Sequence, residues 1–487
     1  MIRGIWALLY VLCCFFCASG RGAEAAVTRR ALLVGCDSFL THESTAPSAA
    51  MNVERMDRML RTDARGYAAI VRRDQGLADK EALAAALAEA FGEADADDVS
   101  LIYFCTHGLY DRVAYEPLLV LSDGQKEDAL SAQALRDMLE QVPGQKILII
   151  DACNSGAFIG RGARGDGPAN VFAGTDYKVL TSAGAYENSF LWRDRQQDGG
   201  SYFAQELCEG LRGRSFDVNM DGAVTLREAY EGLLECHGAS TAQAYPLADD
   251  TPLYVYDPAA QGGGERPLAD LLLDSAVLSD GQDTLYFSFT VRRPVRVQYQ
   301  IVYYRGGQWR FDAPQIVEDV ENAGGALQPG RKQRAVTLVS EDEAPFGYVL
   351  LQIVAQEGRS AMLAGSRLIA VQPETGDPQL RLWVSGDFDP AAGQEARIYA
   401  RHAFPCSLTA RVLDAQGNAV RRLAYKTPSR PVGERQDGSF FYWDGRDSAG
   451  NIVPAGEYTV EITCKAGGQT YTQQSAPFKA ESPAPAP

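Results

Sequence analysis

The chain has 487 residues and a formal net charge of −17 at pH 7. This length exceeds what one compact core needs, so about two to four domains are expected. The acidic balance argues against nucleic acid and anionic membrane surfaces as partners, because both repel a strongly negative protein. An acidic surface tolerates, and mildly favours, cationic substrates.

The N-terminal residues 1–25 have the pattern of a secretory signal peptide. Arg3 precedes the apolar run Ile5–Ala18, and the small-residue pattern Ala23-Glu24-Ala25 follows it. We therefore expect cleavage after Ala25 and a mature protein that is secreted or otherwise extracytoplasmic. The apolar run is too short for a comfortable membrane span, and no later segment approaches one, so no membrane span is expected.

Strand and helix patterns alternate from residue 28 to residue 256. Asp79 can cap a helix in which Leu83, Leu87 and Phe91 share one face. The alternation predicts a mostly parallel sheet with helices on both faces. The strands expected in it are Ala31–Gly35, Tyr67–Val71, Ser100–Cys105 and Ile147–Ile150, with Thr251–Tyr256 closing the sheet.

Two of these strands end in residues that suit nucleophilic chemistry. Asp151-Ala152-Cys153-Asn154-Ser155-Gly156 follows one strand, and Thr106-His107-Gly108 follows another. Parallel neighbours open on the same edge of a sheet, where an imidazole can take the proton of a thiol. A single Cys is more often a buried structural residue, so the case for Cys153 depends on His107. His237 follows a helix end and is expected to be structural.

The order of these two motifs resembles the caspase-like family of cysteine peptidases, which includes caspases, metacaspases and hemoglobinases. Lys178–Ala183 and Gly199–Phe203 agree with the resemblance, which covers about residues 28–256. It implies the α/β caspase-hemoglobinase fold, with Cys153 as the nucleophile and His107 in proton transfer.

The resemblance also implies three further site residues. Backbone amides of Gly108 and Cys153 would stabilise the oxyanion, and Ser182 would contact substrate. In the metacaspase and clostripain-like branches, an acidic residue two positions before the nucleophile lines the pocket for a basic side chain. Asp151 matches that branch and implies cleavage after Arg or Lys. The alternative for Asp151 is a carboxylate that caps backbone amides at the strand end.

A glycine-rich stretch, residues 157–167, follows the nucleophile and is expected to be a mobile loop. In the resembling family this loop is often cut during activation. Arg161 and Arg164 are therefore candidate autoprocessing sites for an enzyme that cleaves after Arg. The alternative is a plain surface loop.

The segment 217–228 matches the twelve-residue EF-hand loop at every demanding position. Gly222 would make its sharp turn, and a structural role for bound Ca²⁺ is expected. EF-hands normally work in pairs and only one is found, so a calcium-free loop of the same shape is the alternative. The predicted ligands are Asp217, Asn219, Asp221, the Ala223 carbonyl, Thr225 and Glu228.

Two all-β sandwich domains are expected after a linker at 257–267. In residues 268–372, apolar and polar residues alternate as in strands. Residues 378–476 resemble the immunoglobulin-like domain of flagellar hook-capping proteins, on the motif from Trp443 to Tyr458, in which Gly450 and Asn451 are predicted to adopt positive φ. A disordered tail is expected at 477–487.

The whole chain is therefore interpreted as an exported cysteine-type endopeptidase of protein or peptide substrates. One alternative is a catalytically silent binding or adhesion protein, with the β-sandwich modules making cell-surface or protein contacts. Another is a transpeptidase, because an amine can resolve the same acyl-enzyme.

Overall fold

The computed structural model describes residues 27–163, 168–174, 176–194, 197–247, 252–259, 267–279, 282–321, 325–339, 347–358, 360–373, 375–430, 438–466 and 468–481. The predicted signal peptide, Arg164 and most of the predicted linker lie outside these residues. Within the described part of the chain, no helix is both long enough and apolar enough to cross a membrane.

Among the described residues, the first domain has five α-helices and thirteen strands. Its helices are α1 (Ser48–Thr62), α2 (Lys80–Phe91), α3 (Ala132–Leu139), α4 (Tyr202–Arg212) and α5 (Leu226–Cys236). Its strands are β1 (Arg29–Gly35), β2 (Tyr67–Arg73), β3 (Val99–Cys105), β4 (Gly108–Asp111), β5 (Glu116–Ser122), β6 (Glu127–Ser131), β7 (Gln145–Asp151), β8 (Tyr177–Thr181), β9 (Leu191–Asp194), β10 (Gln197–Ser201), β11 (Ala223–Thr225), β12 (Gln243–Tyr245) and β13 (Pro252–Val255).

A six-stranded sheet in the order β12-β8-β7-β3-β1-β2 forms the centre of this domain. All its pairings are parallel except that of β12 with β8. Alternate residues of the strands enter two separate cores, one packed against α1, α4 and α5 and the other against α2 and α3. Helices thus cover both faces, as expected for strands that are apolar throughout.

Side-chain caps set the starts of four helices. Asp79, Ser131, Ser201 and Thr225 each accept a hydrogen bond from the amide three residues on, at the starts of α2, α3, α4 and α5. Each such cap typically stabilises a helix by about 1 kcal/mol. The prediction of a helix behind Asp79 is confirmed.

The prediction that Thr251–Tyr256 closes the sheet is wrong. β13 pairs with β11 in a separate two-stranded ribbon, and β12 takes the edge position beside β8. The reason is that β11, within the 217–228 segment, offers β13 an edge outside the sheet.

The middle β domain contains two sheets, in the orders β14-β16-β20 and β15-β22-β21-β17-β18, with β19 paired to β17. Leu285, Phe287 and Phe289 from one sheet and Val297 and Tyr299 from the other share a single core. The strands are β14 (Leu268–Leu273), β15 (Val277–Ser279), β16 (Thr284–Val291), β17 (Arg296–Arg305), β18 (Gln308–Trp309), β19 (Gln315–Asp319), β20 (Gly330–Thr337), β21 (Gly347–Glu357) and β22 (Ser360–Gln372).

The C-terminal β domain has sheets in the orders β23-β24-β27 and β26-β25-β28-β29, with β30 paired to β28. Trp443 is fully buried in the core between them. The strands are β23 (Arg381–Val384), β24 (Ala396–Arg401), β25 (Ser407–Asp414), β26 (Ala419–Pro428), β27 (Ser439–Trp443), β28 (Gly456–Ala466), β29 (Gln469–Gln474) and β30 (Phe478–Ala480).

Two expectations for this last domain need correction. The tail predicted at 477–487 contains β30, whose Phe478 and Ala480 are buried in the core, so the fold extends at least to residue 480; residues 482–487 lie outside the described residues. Gly450 has the expected positive φ of 87°, but Asn451 is not among the positive-φ residues, because the Asp447 carboxylate already accepts its amide and closes the turn.

Candidate active site

The register between β3 and β7 brings the two predicted catalytic residues to the same level of the sheet. Cys105 lies beside Asp151 in parallel pairing, and His107 and Cys153 each follow two residues later. Gly108 lies against the backbone that follows β7, because a Cβ at this position would come 1.9 Å from the Cys153 carbonyl oxygen. Only glycine permits this approach. The two motifs therefore form one compact site.

The imidazole of His107 is held by the segment between β1 and α1. Its Nε2 lies 2.7 Å from the carbonyl oxygen of Glu43, and the ring of Phe39 packs against it at 4.5 Å between centroids. The ring of His42 lies 5.5 Å away. The segment between β1 and α1 thus orients the imidazole through a backbone carbonyl and an aromatic contact.

Glu127 fixes this orienting segment. Its carboxylate accepts hydrogen bonds from the amides of Leu40 and Thr41, at 2.7 and 3.1 Å, from the Thr41 hydroxyl, and lies 3.0 Å from His42 Nδ1. Burial raises the pKa of Glu127, but the hydrogen bonds from Thr41, Leu40 and His42 outweigh it and lower that pKa to about 2.

The thiol of Cys153 interacts with the backbone of Ser189. The Sγ accepts from the Ser189 amide at 3.3 Å and lies 3.6 Å from the Ser189 carbonyl oxygen. Burial raises the pKa of Cys153, and the amide hydrogen bond only partly opposes this. At neutral pH the free protein therefore holds a protonated thiol. Within the described residues no hydrogen bond joins Cys153 to His107, and apo sites often close such contacts only with substrate present.

The turn after Cys153 depends on two residues of the motif. Asn154 adopts a left-handed conformation with φ 59°, and its amide donates to the Glu187 carbonyl at 2.8 Å. Gly156 lies so close to neighbouring backbone that a Cβ would meet the carbonyl oxygens of Arg161 and Ala183 at 2.7 and 2.8 Å. These contacts hold the chain in a sharp turn that leaves the thiol part-buried at the sheet edge.

Asp151 is 3 % exposed and is surrounded by hydroxyl groups. It accepts from Tyr103 at 3.1 Å, from Ser189 at 3.2 Å, and from Ser201, the cap of α4. Burial raises its pKa, although these hydroxyls favour the ionised form. The carboxylate therefore accepts from side-chain hydroxyls, whereas the alternative interpretation expected backbone amides. Its partner Ser189 also contacts the Cys153 thiol, through its backbone amide.

The structure does not support a substrate contact at Ser182. The residue is fully buried, and its hydroxyl accepts from the Ala152 amide at 3.1 Å and lies 3.2 Å from the Ala152 carbonyl oxygen. Because both contacts face the residue before the nucleophile, Ser182 supports the strand end from within the protein.

The described part of the loop after the nucleophile is buried, contrary to the expectation of a mobile loop. Arg161 is 3 % exposed, pairs with Glu395 of the C-terminal β domain, and lies over the ring of Tyr442 at 4.0 Å. The Gly162 amide donates to the Tyr442 hydroxyl at 2.8 Å. A domain more than 200 residues along the chain covers the loop. Autoprocessing at Arg161 stays a prediction that requires this contact to open, and Arg164 lies outside the described residues.

The 217–228 segment has the turn of an EF-hand loop, and its last predicted ligand takes part in a helix cap. Gly222 has φ 86°, and its amide donates to Asp217 at 3.2 Å. Glu228 instead accepts from the amide and hydroxyl of Thr225, at 2.9 and 3.0 Å, in the capping box of α5. Within the described residues no three acidic, His or Cys side chains converge as a metal site. The turn and its oxygen atoms fit Ca²⁺, and the cap bonds of Glu228 engage one of its carboxylate oxygens, Oε2.

Sequence reasoning missed Phe39, Glu43, Glu127 and Ser189. Glu43 and Ser189 act through backbone atoms, so no side-chain pattern could have marked them. Glu127 lies in a strand outside the central sheet and reaches the site across 85 residues of chain. The one sequence signal for this part of the site was that Phe39 and His42 both follow closely after the first strand.

The family model for the caspase domain matches residues 28–230, and that for the FlgD Ig-like domain matches residues 400–468. Among solved structures, caspase-1 from Spodoptera frugiperda is 18% identical, over 46% of this chain and 90% of that chain, with a TM-score of 0.32. The CupB2 chaperone of Pseudomonas aeruginosa is 11% identical, over 44% of this chain and 100% of that chain, with a TM-score of 0.24. No curated protein sequence matches this chain. The chain thus combines a caspase-like domain over residues 28–230 with an FlgD-type immunoglobulin-like domain over residues 400–468.

Proposed function

We propose that this protein is a cysteine-type endopeptidase in which Cys153 is the nucleophile and His107 transfers the proton. The observation that carries the proposal is the shared register of β3 and β7, together with the contact of Gly108 with the Cys153 carbonyl. A caspase-like domain over the same residues agrees with it. A structural Cys would need neither an adjacent imidazole nor a glycine on its carbonyl.

The mechanism begins from a protonated thiol, because burial raises the pKa of Cys153. His107 takes the thiol proton, and the sulfur attacks the scissile carbonyl carbon. Amides of Gly108 and Cys153 are the proposed donors to the oxyanion. His107 then gives its proton to the leaving amine, which leaves a thioester on Cys153. Attack by water, with His107 as base, releases the acid and restores the thiol.

The proposed preference for Arg or Lys rests on Asp151. Its carboxylate lies two residues before the nucleophile and shares Ser189 with the Cys153 thiol. Because the site is buried, Asp151 needs a partner with several donors to stay ionised. A guanidinium that displaces the Ser189 hydroxyl supplies them. A small neutral substrate side chain that displaced the Ser189 hydroxyl would offer Asp151 too few hydrogen bonds to replace the one that was lost.

The test is cleavage of short fluorogenic peptides that end in Arg, Lys, Asp or Asn, by wild type, Cys153→Ala and Asp151→Asn. We expect cleavage after Arg or Lys that is abolished in Cys153→Ala and reduced at least about a hundredfold in Asp151→Asn. Cleavage after Asp or Asn instead would keep the peptidase and remove Asp151 from the specificity pocket. No cleavage of any peptide would favour a catalytically silent binding protein.

Product analysis distinguishes hydrolysis from transpeptidation. With an added amine nucleophile, a hydrolase yields the free acid and a transpeptidase yields the amide product. The same samples test self-processing of the 157–167 loop. Fragments that end at Arg161 or Arg164 should form in wild type and not in Cys153→Ala, as measured by intact mass.

We also propose that the 217–228 loop binds Ca²⁺ in a structural role. Support comes from the positive φ of Gly222 and from the oxygen atoms of Asp217 and Asp221 turned onto the loop amides. Saturating Ca²⁺ should raise the Tm of wild type, because an ion that binds only the folded state at about 100 times its Kd adds about 2.7 kcal/mol. Asp217→Asn should lose this rise. Asp111→Asn, which removes a carboxylate from another turn, should keep it; an equal rise in all three would refute the site.

Export is the remaining part of the proposal, and residues 1–25 carry it. The mature protein should be found outside the cytoplasm with an N-terminus near Ala26, as fractionation and N-terminal sequencing would establish. Recovery of the full chain in the cytoplasm would contradict it.

A further inference from the structure

A line of buried polar side chains connects the middle β domain to the residue before Cys153. It begins at Ser366 on β22, passes through Glu206 on α4, His237 at the end of α5 and Ser240, and ends at Ser182 after β8. Their relative exposures do not exceed 7 %, which excludes solvent from the whole line. Buried polar groups of this kind carry a large penalty when one partner is lost.

The first half of the line is a carboxylate–imidazole pair. The Ser366 hydroxyl lies within hydrogen-bond distance of both Glu206 Oε1 and the Cys236 carbonyl oxygen, and Glu206 Oε2 lies 2.7 Å from His237 Nδ1. On the other side of the ring, Nε2 lies 2.8 Å from the Ser240 hydroxyl.

The second half reaches the nucleophile strand. The Ser240 hydroxyl donates to the carbonyl oxygen of Ser182 at 2.7 Å. The Ser182 hydroxyl in turn contacts both the amide and the carbonyl of Ala152, at 3.1 and 3.2 Å. Ala152 is bonded directly to Cys153, so the line ends on the backbone that carries the thiol.

Counting protons fixes the direction of these bonds. Ser240 has one hydroxyl proton, and Ser182 receives it, so His237 Nε2 must donate to the Ser240 oxygen. Nδ1 then shares a proton with Glu206. The arrangement of acid, imidazole and hydroxyl has the form of a hydrolytic triad, but Ser240 is 2 % exposed and its proton already points at a carbonyl. No substrate can reach it, so the line has no separate catalytic activity.

Each of the two β domains holds one part of the line. Ser366 belongs to the middle β domain. Arg430, from the C-terminal β domain, donates to the carbonyl of His237 at 2.8 Å and lies 3.4 Å from that of Ser240. The turn from His237 to Ser240 is therefore fixed jointly by all three domains.

We infer that Glu206, His237 and Ser240 are positioning residues that hold the backbone at Ala152 and thereby place the Cys153 thiol, under the control of the two β domains. The inference rests on the proposed function for its catalytic meaning, but the placement itself can be measured on the thiol alone. A displacement of about 1 Å at a nucleophile can change a rate about a hundredfold.

The experiment compares Ser240→Ala and Ser366→Ala with a matched control, His402→Gln. His402 is also a buried histidine bonded to a serine, Ser439 at 3.3 Å, but it lies in the C-terminal β domain. Three quantities are measured on each full-length variant: the Tm, the rate at which iodoacetamide alkylates Cys153 as a function of pH, and kcat and KM on the best peptide. Ser366→Ala probes the line from its far end should Ser240→Ala fail to fold.

We expect both line variants to change the alkylation rate of Cys153 at least about fivefold and to lower kcat while KM stays within about twofold. His402→Gln should lower the Tm by a similar amount and leave the alkylation rate unchanged. Alkylation rates equal to wild type in folded Ser240→Ala or Ser366→Ala would overturn the inference. If wild type cleaves no peptide, the proposed peptidase fails, while the alkylation rates still decide the positioning role.

Discussion

The residues at the candidate site are held mainly by backbone atoms. The Glu43 carbonyl orients His107, and the Ser189 amide contacts the Cys153 thiol. A thiol held in this way, with a raised pKa, differs from one that forms an ion pair with imidazole, which would lower the pKa. The raised pKa therefore favours the protonated form of the Cys153 thiol in the free protein.

The pH dependence of thiol reactivity follows from that state. Alkylation of Cys153 by iodoacetamide should be slow at pH 7 and should rise only above the ordinary range of thiol titration, because only the thiolate reacts. Since no hydrogen bond joins the two side chains in this conformation, His107→Ala should leave the profile unchanged. Mass analysis of peptides, with Cys153→Ala as the blank, shows which part of the measured alkylation occurs at Cys153. A reactive plateau at neutral pH that disappears in His107→Ala would mean that an ion pair exists at rest.

Glu127 should stabilise the protein over a defined pH range. Its folded pKa of about 2 lies below the usual value of about 4.3 for Glu, so its contribution is fully present above about pH 4.5 and is lost as the pH falls towards 2. Glu127→Gln should cost about 1.5–3 kcal/mol at pH 7, since it removes a charged acceptor of several hydrogen bonds.

The measurement is the Tm of wild type and Glu127→Gln between pH 3 and pH 7. The difference in Tm between wild type and Glu127→Gln should be constant near pH 7 and should become smaller below about pH 4.5. Glu140→Gln is the control, because Glu140 pairs with Arg136 at the surface and is 53 % exposed. A difference in Tm that grew at low pH would contradict a lowered pKa of Glu127 in the folded protein.

At the scale of elements, the sequence sufficed wherever local pattern decides the structure. The buried strands β3 and β7 and the helix capped by Asp79 lie where apolar runs and a cap residue predict them. Because parallel neighbours share an edge, the placement of the His107 and Cys153 motifs at one edge of the sheet followed from the order of the strands. Gly450 likewise has the positive φ that its turn requires.

Elements that depend on distant chain could not be predicted in this way. The loop around Arg161 looked mobile because it is rich in glycine, but Glu395 and Tyr442 bury it, and no local signal reveals partners more than 200 residues away. Similarly, β13 pairs with β11 because a short strand beside the EF-hand-like turn has a free edge. Ser182 matched a family motif, but motif agreement alone does not tell a buried support from a substrate contact.

The pair of Arg161 and Glu395 allows a direct test of the loop's burial. Glu395→Ala leaves the guanidinium buried without its carboxylate, which should cost about 3–5 kcal/mol. The double variant Arg161→Met/Glu395→Leu removes both charges and should recover most of that loss. The thermal transition of each full-length variant is measured at pH 7.

The same variants should differ in their sensitivity to trypsin. Wild type should resist cleavage after Arg161, because the side chain that trypsin must bind is inaccessible. Glu395→Ala should be cut there at least about tenfold faster, since cleavage follows the population of the open loop. Equal rates of cleavage after Arg161 in wild type and Glu395→Ala would show that the C-terminal β domain does not protect the loop.

At the scale of the molecule, the first and middle domains share an apolar cluster in addition to polar contacts. Trp192 and Ala239 from the first domain are buried together with Val302, Trp309 and Leu350 from the middle domain. The Trp309 indole also donates to the Ala239 carbonyl at 2.9 Å. Apolar interfaces of this type couple the unfolding of the two parts, because separating them exposes the cluster to water.

Gly238 is the point at which this coupling can be tested. It lies beside His237 and faces β21 and β22, and a Cβ there would come 2.6 Å from Leu350 Cδ1 and 3.2 Å from the backbone of Leu368. Gly238→Ala should therefore push the domains apart at a cost of about 1–3 kcal/mol. Gly386→Ala is the matched control, because a Cβ at residue 386 meets nothing within 4 Å and its φ lies outside the left-handed region.

If the two domains unfold together, Gly238→Ala should lower a single transition that tryptophan fluorescence and circular dichroism report at the same temperature, while Gly386→Ala leaves it in place. Because the turn from His237 to Ser240 supports Ala152, Gly238→Ala should also alter the alkylation rate of Cys153 well below the transition. The contrary result is two separate transitions in wild type and Gly238→Ala, with the variant lowering the temperature of the middle-domain transition alone. That result would mean that the interface does not affect Cys153. In that event the β domains could be removed without loss of reactivity, and the contacts at Glu206 and Arg430 would be packing alone.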